Sequence, residues 1–151
     1  FGAGPFVVTD HHKTERFSYR GTDVEADVSY AFGYLGDVMI QFIQQHDDKP
    51  SIYREMYSEG QSGFHHVAYL VDENEFEPAK KRLEDMGFEC ACELYANRVN
   101  AAYYDTRSVT GGFTEIHGDP AHVVSTFANW RHRHQVKTAA DGAIMPRPAI
   151  S

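Results

Sequence analysis

Gly63-Phe64-His65-His66-Val67-Ala68-Tyr69-Leu70-Val71-Asp72 is the stretch whose reading decides the fold. An apolar run between a glycine and an aspartate predicts a buried strand, here one that carries an imidazole. It opens a unit that runs to Gly118. Asp72 with Glu75 three residues on has the look of a capping box, and Pro78 falls early enough in a helix to be tolerated. Phe76, Ala79, Leu83 and Met86 follow helical spacing, and Gly87 supplies a C-terminal cap. Strands are predicted over 88–95, 100–105 and 113–117. The last of these, Phe113-Thr114-Glu115-Ile116-His117, sets one carboxylate in an apolar run. An imidazole and a carboxylate on separate strands are donor types of a divalent-metal site.

Upstream, Phe6-Val7-Val8 predicts a short strand. Residues 26–35 alternate, with Val28, Tyr30, Phe32 and Tyr34 on one face and Asp27, Ser29, Ala31 and Gly33 on the other. Gly36-Asp37 is a turn signal, and residues 38–44 complete a hairpin. A short helix is expected over 51–59, and the glycine-flanked linker 60–63 is the candidate boundary between two halves. Both halves end in three strands, with Met39-Ile40-Gln41-Phe42-Ile43 matching Phe113-Thr114-Glu115-Ile116-His117, so Gln41 and Glu115 are equivalent in an internal repeat. The first copy lacks an opening strand and helix. The chain begins at Phe1 without an initiator Met, and an upstream segment is expected. The exposed sheet edge and uncovered core face of the short copy are expected to be covered by such a segment or by a neighbouring subunit. Residues 119–151 are read as a helical stretch, Val123 to Trp130, and a tail containing Pro146-Arg147-Pro148.

The composition suits one soluble globular domain: 42% apolar, 24% charged, with a formal net charge of −8. No dense basic patch offers a surface for nucleic acid, and Arg131-His132-Arg133-His134 is read as solvated. No apolar run reaches the roughly eighteen residues of a membrane span, and no signal peptide is visible. Cys90 and Cys92, two apart on a strand, are expected to be free thiols in a reducing, cytoplasmic setting.

Strand parity places Gln41 with Met39 and Ile43, His66 with Phe64, Ala68 and Leu70, and Glu115 with Phe113 and His117. Each polar side chain therefore points into apolar surroundings, where a lone carboxylate is costly unless paired or metal-bound. By the same parity His65 falls on the opposite strand face and is read as a surface or interface residue. His11 and His12 are read as a surface pair on a loop. Arg54, Arg98 and Arg107 are candidates for holding a carboxylate.

Gly4-Pro5-Phe6, Asp37-Val38-Met39-Ile40-Gln41-Phe42-Ile43-Gln44-Gln45, Gly63-Phe64-His65-His66-Val67-Ala68 and Glu115 together resemble the vicinal oxygen chelate superfamily (glyoxalase, bleomycin resistance and dioxygenase proteins). The look is nearest the glyoxalase I and methylmalonyl-CoA epimerase branch. The resemblance implies an α+β fold of two βαβββ modules forming a half-open barrel, residues 1–60 being an incomplete first module and 63–118 the second within one domain, 1–118. It implies a divalent metal, one of Zn, Mn, Ni, Co or Fe, held by Gln41, His66 and Glu115. The remaining family ligand, a His on the first module's opening strand, has no counterpart here. The implied activity is that of a lyase, isomerase or epimerase acting on a small oxygenated carbonyl compound through an enediolate, with Glu115 as catalytic base. Tyr30, Tyr103 and His117 are substrate-binding candidates, and a homodimer is expected. The alternative is a non-catalytic binding protein of the bleomycin-resistance kind, and an extradiol dioxygenase ranks third because only one clear His ligand is available.

Overall fold

The computed structural model describes residues 1–145. In chain order its elements are strands β1 (Val7–Thr9), β2 (Arg16–Tyr19), β3 (Thr22–Asp23), β4 (Val28–Leu35) and β5 (Val38–Gln45), helix α1 (Ile52–Met56), strand β6 (His66–Asp72), helix α2 (Phe76–Asp85), strands β7 (Cys90–Ala96) and β8 (Val99–Tyr104), helix α3 (Arg107–Thr110), strand β9 (Phe113–Asp119) and helix α4 (Ala121–Val136). They form two compact units, each drawn from several stretches of chain. One contains residues 1–12, 27–46 and 122 onward; the other contains 13–26 and 47–121. The mixture of sheets and few helices is α+β.

In the first unit β1, β4 and β5 form an antiparallel sheet in that order. Leu35 pairs with Val38, so the β4–β5 hairpin closes on Gly36-Asp37, with Gly36 at φ +61, a left-handed conformation that favours glycine. Helix α4 contacts this sheet, while Val38 and Phe42 of β5 remain 63% and 60% exposed. Trp130 stacks on Phe32 with ring centroids 5.9 Å apart, and Arg131 bonds the Asp37 carboxylate at the hairpin. His134 Nε2 accepts the Gly36 N–H at 2.9 Å. Arg131 and His134 are thus tied to the unit rather than merely solvated. The stretch Pro146-Arg147-Pro148 lies outside the described residues.

The second unit is a mixed sheet in the order β3-β2-β7-β8-β9-β6. The hairpin β2–β3 was not expected from the polar stretch around it; it adds to the edge of β7 through Arg16↔Tyr95 and Phe17↔Leu94. The β7–β8 turn uses Asn97 and Arg98 at φ +50 and +66, the twist that a two-residue hairpin needs. Before α2 the Asp72 side chain accepts the Asn74 N–H at 2.9 Å and caps a 3-10 turn over Glu73–Glu75, in place of a capping box closed by Glu75. Gly87 ends the helix at φ +86. The helix lays Phe76 and Ala79 against Ala102, Tyr104 and Ile116 of the sheet, with Val71, Leu83, Phe88 and Cys90 around them. The Tyr104 hydroxyl donates to Glu84 at 2.7 Å, which satisfies the one polar atom that ring brings inside.

Cys90 and Cys92 are free. The register shifts between them, so Cys90 packs by the helix while Cys92 pairs across from Tyr103. Among the described residues no helix is long and apolar enough to cross a membrane.

Phe76→Ala leaves a cavity between helix and sheet and is expected to cost about 3–5 kcal/mol, read as a lowered urea midpoint with an unchanged slope. A loss below about 1 kcal/mol would mean that the helix does not hold this face of the sheet.

Candidate functional site

Parallel pairing of β6 with β9 sets His66 opposite Phe113 and Ala68 opposite Glu115. Side chains alternate along a strand, so His66, Phe113 and Glu115 share the face turned away from α2. His66 Nε2 lies 3.0 Å from the Glu115 carboxylate, with both side chains buried. On the other side of β9, Tyr103 of β8 sits across from Glu115, and its hydroxyl hydrogen-bonds that carboxylate. The Tyr103 ring, 2% exposed, meets the His66 ring edge-on at 5.3 Å. Burial by itself would raise the Glu115 pKa; the hydrogen bond and charge of His66, the charge of His117 and the Tyr103 hydroxyl outweigh it and hold it low. His117 is desolvated too, yet its pKa is raised by the Asp119 carboxylate 2.5 Å away and by Glu115. The Cys92 thiol is pushed well up by burial and by the neighbouring Cys90 and Glu115, so it stays protonated.

His65 is not the surface residue that strand alternation implies. The strand starts only at His66, so alternation does not govern the residue before it. The His65 ring is packed between Tyr53 and Phe113, at centroid distances of 5.0 and 5.2 Å. Its Nδ1 lies 3.0 Å from His66 Nδ1, and its Nε2 lies 3.2 Å from the Ile52 carbonyl. Burial first, then the neighbouring His66, push its pKa down to about 4. The sequence signal that points to it is Gly63, which ends the preceding loop and leaves two residues before the ladder begins.

The layers behind this ring are ionic. Arg107 lies over the Phe113 ring, 4.9 Å from its centroid, and bonds Asp105 and Glu55. Arg20 bridges Glu55, Asp105 and Glu89 at 2.8, 2.6 and 2.9 Å. Arg107 is therefore engaged in structure, as is Arg54, whose guanidinium donates to the Asp47 carbonyl. Arg98 is an exposed turn residue. Ser51 caps α1 through the Tyr53 and Arg54 N–H groups, which presents the Ile52 carbonyl and the Tyr53 ring to His65. Gly112 completes the arrangement: a Cβ there would stand 2.6 Å from the Phe64 ring and 2.7 Å from the His65 carbonyl oxygen.

Gln41 and Tyr30 belong to the first unit. Gln41 pairs with Phe32, on the half-buried face with Met39 and Ile43. Tyr30 is buried against His12 and Phe32. His11 is paired with Asp27 at 2.8 Å. His66 and Glu115 are the donors that the second unit brings together. Among the described residues no group of three or more His, Cys, Asp or Glu side chains is arranged to hold a metal ion.

The sequence pattern of the Glyoxalase/Bleomycin resistance protein/Dioxygenase superfamily matches residues 5–104. The chain belongs to that superfamily. The match establishes the glyoxalase superfamily, also called vicinal oxygen chelate, as a whole and no particular branch of it. It spans Gln41, His66 and Tyr103 and stops before Glu115 and His117, whose place beside His66 is a matter of geometry. No curated protein matches the chain.

Gly112→Ala is expected to push β6 off β9 and to cost about 1–3 kcal/mol, measured by urea unfolding, with a changed near-ultraviolet tyrosine signal. Acid provides a second test. Burial raises Glu55, but Arg20, Tyr19 and Arg107 hold it below 4.5. Hydrogen bonds from Arg107 and then Arg20 hold Asp105 below 3.8 against burial. The unfolded chain then takes up these protons first as pH falls, so the stability is present above those values and lost as pH drops through the folded ones. The urea midpoint is expected to fall between pH about 5 and about 2, and to fall less in Asp105→Asn; equal slopes would remove the network from the cause.

Proposed function

We propose that the protein is a metal-dependent lyase, isomerase or epimerase of the glyoxalase type acting on a small oxygenated carbonyl compound. The observation that supports this is the buried contact of His66 Nε2 with the Glu115 carboxylate, 3.0 Å apart and backed by Tyr103. A buried imidazole nitrogen and carboxylate fit a divalent ion by donor chemistry, because each is costly in an apolar site unless it is paired or coordinated. His66 and Glu115 are the residues of this unit that would hold the ion. A bound divalent ion supplies Lewis-acid polarisation of a substrate carbonyl.

The remaining work falls to the chain's own groups. Glu115, kept ionised by His66, His117 and Tyr103, is the base that takes the proton beside the carbonyl. Tyr103, a hydroxyl donor already aimed at the carboxylate, orients the substrate oxygen. His117, with its pKa raised beside Asp119, carries a proton at the same face and returns it. The substrate is small, since its recognition rests on these few groups. The resemblance also favours a homodimer, and the free thiols favour a reducing compartment.

A second reading is a binding protein of the bleomycin-resistance kind. The superfamily match covers that kind by name and does not choose between the two readings.

Elemental analysis of the purified protein decides between them. Stoichiometric divalent metal is expected, reduced more than about tenfold in His66→Ala and in Glu115→Gln. Metal content that is zero, or unchanged in His66→Ala, would sink the enzyme reading and leave the binding one.

A further inference from the structure

We propose that His65 is a positioning residue that fixes the tautomer of His66. The inference deepens the reading of His66 as a metal ligand and rests on it for its functional meaning. Four groups stand in a row. The Ile52 carbonyl is 3.2 Å from His65 Nε2, His65 Nδ1 is 3.0 Å from His66 Nδ1, and His66 Nε2 is 3.0 Å from Glu115.

The direction of each hydrogen bond follows from the end of the row. A carbonyl oxygen only accepts, so His65 Nε2 carries the hydrogen. A neutral imidazole has one N–H, so His65 Nδ1 is a bare acceptor. Two bare nitrogens 3.0 Å apart would repel, so the hydrogen between the rings sits on His66 Nδ1. At its other end the ionised Glu115 carboxylate also only accepts, so His66 Nε2 carries a hydrogen as well in the metal-free chain, and a cation would take that hydrogen's place while Nδ1 keeps its own.

Packing makes the row directional. Tyr53 and Phe113 hold the His65 ring on both sides, and the two imidazoles are nearly perpendicular, at 86°. Residue 65 precedes the ladder, so its side chain bends to the same face as His66 instead of alternating away. A ligating histidine ordinarily donates its second N–H to a carboxylate, a carbonyl or water. In this chain the acceptor is the imidazole of the preceding residue, itself anchored on a helix-borne carbonyl. The consequence is an Nε2 aimed at Glu115 before any ion arrives, with the other ring hydrogen held on Nδ1.

Long-range proton–nitrogen correlation spectra of the metal-free protein test this directly. The expected pattern is His65 protonated at Nε2 and bare at Nδ1, with His66 protonated at Nδ1. A hydrogen on His65 Nδ1 would overturn the proposal. Zinc affinity, measured by chelator competition, provides the second arm. His65→Phe fills the space without an acceptor and is expected to weaken zinc binding about tenfold or more, while His65→Asn, which can accept from His66 Nδ1, recovers most of it. Equal affinities for the two variants would overturn the positioning role. Wild-type protein with the expected tautomers but no zinc uptake would fail the metal reading alone, and the tautomer assignment would stand.

Discussion

The parallel ladder between β6 and β9 is the constraint on which the second unit depends. Its register sets His66 opposite Phe113 and Ala68 opposite Glu115, and that offset brings an imidazole nitrogen to the carboxylate. A slip of one residue would send Glu115 to the helix side, among Phe76, Ala79 and Tyr104 and away from His66. A buried carboxylate without a partner is worth several kcal/mol against the fold, so the contact specifies the register as much as the register makes the contact.

Two layers support it from opposite sides. Behind the sheet, Ile116 and Ala102 meet α2, so the residues adjacent to Glu115 and Tyr103 are locked by apolar packing. Beside the site, the charges of Arg20, Arg107, Glu55 and Asp105 back Phe113, and Phe113 backs His65. Charge, aromatic ring and imidazole form a graded series from the unit's ionic margin to its buried carboxylate. Thr106 secures the entry to β9 by donating to the Gly112 carbonyl at 2.9 Å and meeting the Thr114 hydroxyl at 2.8 Å.

Much of this was legible in the residues. Alternation in 28–35, the apolar run 113–117, the Gly36 turn and the helical spacing from Phe76 to Leu83 each pointed to the element that forms, because the period of apolar residues is a local property of sequence, although β4 and β9 are buried on both faces. Parity also set His66 and Glu115 on one face, but β6 is not the buried strand that its apolar run predicts, since Val67, Tyr69 and Leu70 are 46%, 58% and 44% exposed. What was not legible depends on tertiary packing. The β2–β3 hairpin has little apolar pattern and exists because β7 offers it an edge. His65 lies one residue before the ladder begins, so strand parity does not fix its side. The cover over the first unit's sheet came from the far end of the sequence, through Trp130 and Phe32, which no local window connects.

The chain passes from one unit to the other after residues 12, 26, 46 and 121. Neither unit is therefore written as one continuous passage, and no pair of cuts at the glycine-flanked linker would free a self-sufficient half. Strand partners such as Arg16 and Tyr95 must find each other across most of the second unit's sequence. Such non-local pairing slows folding. Shuffling one without the other would require a rewired backbone, not a simple transplant.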